Sequence, residues 1–139
     1  MVPRMPPPTD PKDFAPSGFA AEIGVEWLDF DPENARARIT VEPRHMQPNG
    51  VVHGGVYASL AESLTSAATY YAVREDGEVA FGMANSTNFL RVISEGHVNA
   101  VAHARQRGRT TWIWDVELSD DEGQVCALSR TTVAVRPQR

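Results

Sequence analysis

The sequence predicts an α+β fold, an antiparallel β-sheet wrapped around one long central helix. Three observations lead there. Only one stretch, Gly54 to about Arg74, keeps a helical apolar period over several turns. The segments flanking it alternate or run apolar over strand-like lengths, a pair before the helix and four after it. The connections between the strands are short and turn-like, which favours antiparallel neighbours over crossover units.

Taken in order, Met1 to Ser17 is rich in proline (Pro3, Pro6, Pro7, Pro8, Pro11, Pro16) and is expected to form a disordered arm. A single domain is expected over 18–139, since the 139-residue chain leaves no room for a second. Glu22 to Asp29 reads as a lead-in and strand, Asp31-Pro32-Glu33-Asn34 as a turn, and Ala35 to Val41 as the alternating second strand of a hairpin. Pro43 ends it, and Arg44 to Val52 reads as a loop. On the helix, Val56, Leu60, Leu64, Ala67 and Tyr71 fall on one face. Ser59, Glu62, Ser63, Ser66 and Thr69 make the small, polar opposite side. Four strands follow, at Val79 to Leu90, Gly96 to Gln106, Thr110 to Ser119 and Gln124 to Val135, with turns at Arg107-Gly108-Arg109 and Asp120 to Gly123.

Composition narrows the functions. With 42% hydrophobic residues the chain can bury a core. It contains no apolar run long enough to cross a membrane, and the N-terminal stretch lacks the apolar middle of a secretory signal, so a cytoplasmic protein without a membrane partner is expected. A net charge of -5 argues against a nucleic-acid partner, which needs a basic face. Arg91, Arg107, Arg109 and Arg136 either form a local patch for a smaller anionic ligand or are ordinary surface charges. The lone Cys126, between Val125 and Ala127, reads as a small core residue rather than a nucleophile. His45, His53, His97 and His103 show no metal-ligand spacing, and neither a nucleophile elbow nor a phosphate-binding glycine loop is present. Trp112 and Trp114 share a strand face, which sheet packing explains.

The stretch from Gln47 to Glu62 carries the chemistry. His53-Gly54-Gly55 opens the helix, whose first amides are free to meet an incoming oxygen at the positive end of the dipole. That is an oxyanion site, with Gly54 as donor. Glu62, about two turns further in, can lie beside the same cavity if another chain or a sheet edge closes over it, and can act there as nucleophile or general base. Hydrolysis of a thioester suits this pair, because a thiol with a pKa near ~8.5 leaves without a separate acid. Each residue also has a plainer reading. Glu62 can be a solvated helix charge, His53 a cap, Ser66 a solvent-facing serine and Gln47 a loop amide.

Val52-His53-Gly54-Gly55, followed by Leu60-Ala61-Glu62-Ser63, resembles the signature of hotdog-fold acyl-CoA thioesterases, in the branch with glutamate where the phenylacetate-pathway branch has aspartate. Asn88 to Arg91, Glu95 to Val98, Gly108 to Val116 and Ala134 to Pro137 are similar to strands of glutamate-type 4-hydroxybenzoyl-CoA thioesterases, so the likeness covers nearly everything after Phe19. The resemblance implies Glu62 as the catalytic carboxylate, the Gly54 amide on the thioester oxygen, and supporting roles for Gln47, His53 and Ser66. Arg91, Arg109 and Thr110 are the matches for residues that meet coenzyme A phosphates. It also implies a homo-oligomer, a dimer of dimers with each site between subunits, and no cofactor beyond the coenzyme A of the substrate.

An aromatic acyl-CoA of the 4-hydroxybenzoyl type is the expected substrate, with Phe81, Met83 and Phe89 expected in the acyl pocket. 1,4-Dihydroxy-2-naphthoyl-CoA hydrolysis in menaquinone synthesis fits the same Gln, His, Glu and Ser pattern. A non-catalytic acyl-CoA-binding hotdog protein is the reading from another class, against which the presence of Glu62 counts. A hotdog hydratase lacks its acid and histidine motif here.

Overall fold

A computed structural model describes residues 14–139. The arm expected over 1–17 thus lies largely outside the described residues. At its end, Phe14 packs on the rings of Trp27, Phe30 and Tyr70, with centroids 6.5, 5.7 and 6.0 Å away. Gly18–Glu22 forms a short helix, α1. Glu22 therefore closes a helix instead of leading into a strand, and Gly24, at φ 78, makes the left-handed break that lets the chain turn into β1.

β1 (Val25–Asp29) and β2 (Ala35–Thr40) form the expected antiparallel hairpin, with Val25 opposite Ile39. Alternation decides which face goes inward: Ala35, Ala37 and Ile39 are buried while Arg36 and Thr40 face out. The remaining elements are α2 (Gly54–Val73), β3 (Glu78–Phe89), β4 (His97–Arg107), β5 (Thr111–Ser119) and β6 (Val125–Pro137). All pairings are antiparallel, in the order β1-β2-β4-β5-β6-β3. This is the α+β hotdog arrangement, a curled sheet around one long helix.

One strand departs from the neighbour-pairs-neighbour expectation. β3 does not pair with β4, which follows it, but with β6, and stands at the far edge of the sheet. The connection from β3 to β4 crosses the end of the sheet and is held by backbone bonds: Leu90 and Arg91 N–H donate to Cys126 O, and Ile93 O accepts from Val52 N–H. These bonds tie the connection to its neighbours without a strand partner.

α2 packs against β2, β3, β4, β5 and β6. A helix so enclosed buries more than one stripe: Tyr57, Leu60, Ala61, Leu64, Thr65, Ala68, Thr69 and Val73 are all buried. Thr69, expected on the polar side, thus faces the core, and the reason is a hydrogen-bonded ladder. Trp114 Nε1–H donates to Thr69 Oγ1 at 2.9 Å, and Thr69 donates to Thr65 O at 2.7 Å. Thr131 donates to Thr65 Oγ1 at 2.8 Å, and Thr65 donates to Ala61 O at 2.9 Å. Every hydroxyl is satisfied within the core, so polar residues sit there without the penalty of an unpaired group.

Replacing Thr69 with valine keeps the volume but leaves the fully buried Trp114 Nε1–H without an acceptor. We expect a loss of about 1–3 kcal/mol, read as a lower urea midpoint at fixed protein concentration. An unchanged midpoint contradicts the ladder.

Candidate active site

The site begins with a buried histidine that anchors its loop. His45 is 3% exposed. Its Nδ1 accepts from Glu42 N–H at 2.9 Å, which leaves the proton on Nε2, and Nε2 donates to Ile23 O at 2.8 Å. His45 O in turn accepts from His53 N–H at 2.8 Å, and Gln47 N–H reaches Val51 O at 2.9 Å. The loop from Met46 to Val52 is therefore closed at its base, and it delivers the chain to α2 in a fixed direction.

At the start of α2 the amide accounting is informative. His53 is the N-cap, its Nδ1 accepting from Gly55 N–H at 2.8 Å, and its carbonyl accepts from Val56 N–H at 2.9 Å. The N–H of Gly54 has no acceptor among the described residues, at the positive end of a 20-residue helix. The structure so gives His53 the capping role and leaves Gly54 as the free donor.

Three contacts then run along α2 and, in the opposite sense, along β3. Phe89 lies over Gly54, where a Cβ would stand 2.9 Å from the ring. Asn85 Nδ2 donates to Ala58 O at 2.8 Å. Gly82 meets Glu62, whose Cδ lies 3.1 Å from where a Cβ would stand on the glycine. Between β3 and the helix opens a cleft of about 400 Å³, lined among others by Phe19, Ser59, Glu62, Asn85, Thr87 and Phe89. The Glu62 side chain is exposed in it and takes no hydrogen bond or ion pair from the described residues. A free amide at a helix N-terminus can bind a carbonyl oxygen, and a free carboxylate in a cleft can attack a carbonyl carbon or activate a water; along this one helix the two stand about 12 Å apart, at ~1.5 Å per residue.

The other sequence candidates are placed unevenly. Gln47 is half-buried in the anchored loop, its side chain unbonded by the described residues. Ser66 is half-buried one turn beyond Glu62 but makes no hydrogen bond to it, and Ser59 and Ser63 line the cleft in its place. Of the expected acyl-pocket residues, Phe89 lines this cleft, whereas Phe81 lies at another depression with Val79 and Arg136. Met83 sits at a register shift of β3 and is exposed. Asn85 and Gly82 were not singled out from the sequence, although a glycine inside a strand signals a bulge or close approach.

The basic positions do not form one patch within a chain. Arg91 follows β3 beside Cys126, while Arg109 and Thr110 precede Thr111, which pairs with Ala134, itself opposite Phe81. The span from Phe81 to Phe89 at about 3.3 Å per residue separates those ends by roughly 26 Å. Arg107 is committed to Glu33 and stacks 5.9 Å from the Trp112 centroid, and Arg136 Nη1 donates to Thr110 O at 2.7 Å. Among the described residues no group of side chains could hold a metal ion, and no helix is long and apolar enough to cross a membrane.

Residues 49–127 match the pattern of the family described as the Thioesterase superfamily. The crystal structure of a mutant thioesterase PA1618 from Pseudomonas aeruginosa is similar at a TM-score of 0.80 and 39% identity, covering 85% of both chains. The proofreading thioesterase EntH of Cronobacter turicensis is 34% identical over 81% of this chain and 82% of that protein. The 1,4-dihydroxy-2-naphthoyl-CoA hydrolase of Listeria monocytogenes is 31% identical over 88% of this chain and 98% of its own.

Two titratable groups near the helix start are inert by burial. Desolvation pushes the Tyr57 phenol up to about 12, so it stays protonated, with its OH 3.4 Å from Arg91 O. Cys126 is fully buried, and desolvation pushes its thiol up as well, in keeping with a core residue. We expect an aromatic disulfide reagent to leave the native protein unlabelled and to label one thiol per chain in urea. Rapid labelling of the native protein contradicts this placement.

Proposed function

This chain belongs to the thioesterase superfamily and is a thioester hydrolase, and from that premise we propose that it hydrolyses an aromatic acyl-CoA of the 4-hydroxybenzoyl type. Glu62 serves as nucleophile or general base and the Gly54 amide as oxyanion donor. The observation that carries the reading is an unbonded Gly54 N–H and an unbonded Glu62 carboxylate on one helix, the carboxylate in a cleft walled by Phe19 and Phe89. At about 1.5 Å per residue they stand roughly 12 Å apart along the axis, so one thioester meets the amide of one copy and the carboxylate of its partner.

In this mechanism the thioester oxygen accepts from Gly54 N–H and gains negative charge at the helix N-terminus. Glu62 attacks the carbonyl carbon to give a mixed anhydride, which water then hydrolyses, or it takes a proton from a water that attacks directly. In either course the carbon–sulfur bond breaks and the thiolate leaves, taking its proton from solvent. Gln47 orients the carbonyl or the water. His53, its Nδ1 held on Gly55 N–H, keeps the turn that presents Gly54. Ser66, one turn beyond Glu62 and not bonded to it, is assigned a supporting role toward the substrate or the water. The flat walls of Phe19 and Phe89 suit an aromatic acyl group. Coenzyme A enters as part of the substrate, its phosphates meeting Arg91, Arg109 and Thr110, and no cofactor takes part.

Pairing with a second copy goes with this reading, in a dimer of dimers. The cleft is walled in part by Asn85, Thr87 and Phe89 of β3, and β3 offers an unpaired edge along its length among the described residues. A two-fold axis through that edge runs the two β3 strands antiparallel, which brings the Arg91 end of one chain to the Arg109 end of the other. The separation of these residues within a chain then becomes proximity between chains. The similarity to a 1,4-dihydroxy-2-naphthoyl-CoA hydrolase along nearly all of that protein supports the two-ring substrate as the second reading.

The test is thiol release from a panel holding 4-hydroxybenzoyl-CoA, 1,4-dihydroxy-2-naphthoyl-CoA and aliphatic acyl-CoAs. We expect the aromatic members to be preferred and Glu62→Gln to lower kcat by about 10²–10⁴-fold. Binding without turnover across the panel would make the chain an acyl-CoA-binding protein, and full rate in Glu62→Gln would remove Glu62 from the chemistry. In sedimentation equilibrium, active protein is expected at a multiple of 15.3 kDa. An active monomer contradicts the shared site.

A further inference from the structure

We propose that Gly82 is a positioning residue for the reaction: its missing side chain is the seat that fixes where the Glu62 carboxylate lies. The inference rests on the reading of Glu62 as the catalytic group and goes beyond it in naming what places that group.

A carboxylate with no hydrogen bond or ion pair from the described residues is held by what it touches. The Glu62 side chain lies flat against the β3 backbone at Gly82, where a Cβ would stand 3.1 Å from Cδ, 3.2 Å from Cγ and 3.4 Å from Oε2. These separations are tighter than ordinary side-chain contacts, so any residue but glycine must displace the carboxylate. The strand cannot yield by moving off the helix. Asn85 Nδ2 ties β3 to Ala58 O one turn before Glu62, Asn85 Oδ1 takes Thr87 Oγ1–H at 2.6 Å, and Thr87 bonds Ser129 on β6 at 2.8 Å. Next to the glycine, β3 shifts register between Gly82 and Ala84, with Met83 the extra residue, so the strand is re-aimed at this point. A glycine inside a strand costs backbone entropy and gives no packing. Close approach of the helix carboxylate accounts for its presence.

Because the carboxylate is the exposed end of a long side chain with no hydrogen bond to break among the described residues, it can give way to an added methyl at little cost in stability. The carboxylate then sits a few tenths of an ångström off its place, and catalysis is sensitive to displacements of that order. The experiment is steady-state kinetics and thermal unfolding of full-length Gly82→Ala, Glu62→Asp and the double variant, with Glu62→Gln alongside. Gly82→Ala is expected to lose kcat by about tenfold with KM and Tm near wild type. Aspartate, one methylene shorter, clears the new methyl, so Glu62→Asp should cost less in the Gly82→Ala background than in the wild type. Should Gly82→Ala alone fail to fold, the double variant still decides, since its kcat should match that of Glu62→Asp. Wild-type kcat in Gly82→Ala, or losses that simply add, overturns the proposal while an inactive Glu62→Gln leaves the catalytic reading standing. Full activity in Glu62→Gln removes both.

Discussion

The rest of the molecule depends on the fit of α2 inside the curled sheet. A helix touching five strands keeps only a narrow solvated side, at Gly55, Glu62 and Ala72, so the rest of its surface must be small or self-satisfied, and its sequence complies with Ala58, Ala61, Ala67, Ala68, Thr65 and Thr69. The threonines bond back to carbonyls one turn earlier and accept from Trp114 and Thr131, turning what would be a burial penalty into cross-links between helix and sheet. That packing holds the helix axis, and with it the two groups that matter chemically, whose separation is then a property of the core.

The same enclosure explains why the reactive groups sit where they do. Of the strands around it, the helix meets β3 most extensively, and the contacts that bear on the reactive groups are there, Phe89 on Gly54, Asn85 on Ala58 and Gly82 on Glu62. Two of these three depend on glycine, one on each element. At Gly54 the missing side chain leaves the amide open under an aromatic wall. At Gly82 it leaves room for a carboxylate. His45 fixes the loop from below with both ring nitrogens bonded, so the free amide has a defined direction.

How much of this was legible in the sequence follows from how local each signal is. The helical period and the alternating strands are carried by residues a few positions apart, and α2 with its flanking strands came out within a residue or two of Gly54–Val73 and its neighbours. The Gly54 and Glu62 spacing lies within one helix and was readable for the same reason. What failed was non-local. That β3 pairs β6 and not β4, that Thr69 faces Trp114, and that Arg91 and Arg109 lie at opposite ends of the sheet all depend on register between distant segments. α1 was missed because a five-residue helix is too short to show a period. Gly82 stood in plain view, but its meaning needed the side chain across from it.

The edge that β3 leaves open gives the proposed pairing a physical ground apart from resemblance. Protected edge strands carry lysine, proline or inward charges, or are short. β3 is 12 residues long with neither lysine nor proline, its one charge is Glu78 at the end, and Phe81, Met83 and Phe89 are 59%, 61% and 57% exposed. Left alone, such an edge invites indiscriminate strand addition. A two-fold partner at that edge would satisfy the backbone of both strands at once, cover the apolar side chains and wall the Glu62 cleft further. A single surface would then meet the demands of solubility and of water exclusion from the thioester, so a substitution that weakens the pairing should weaken catalysis with it.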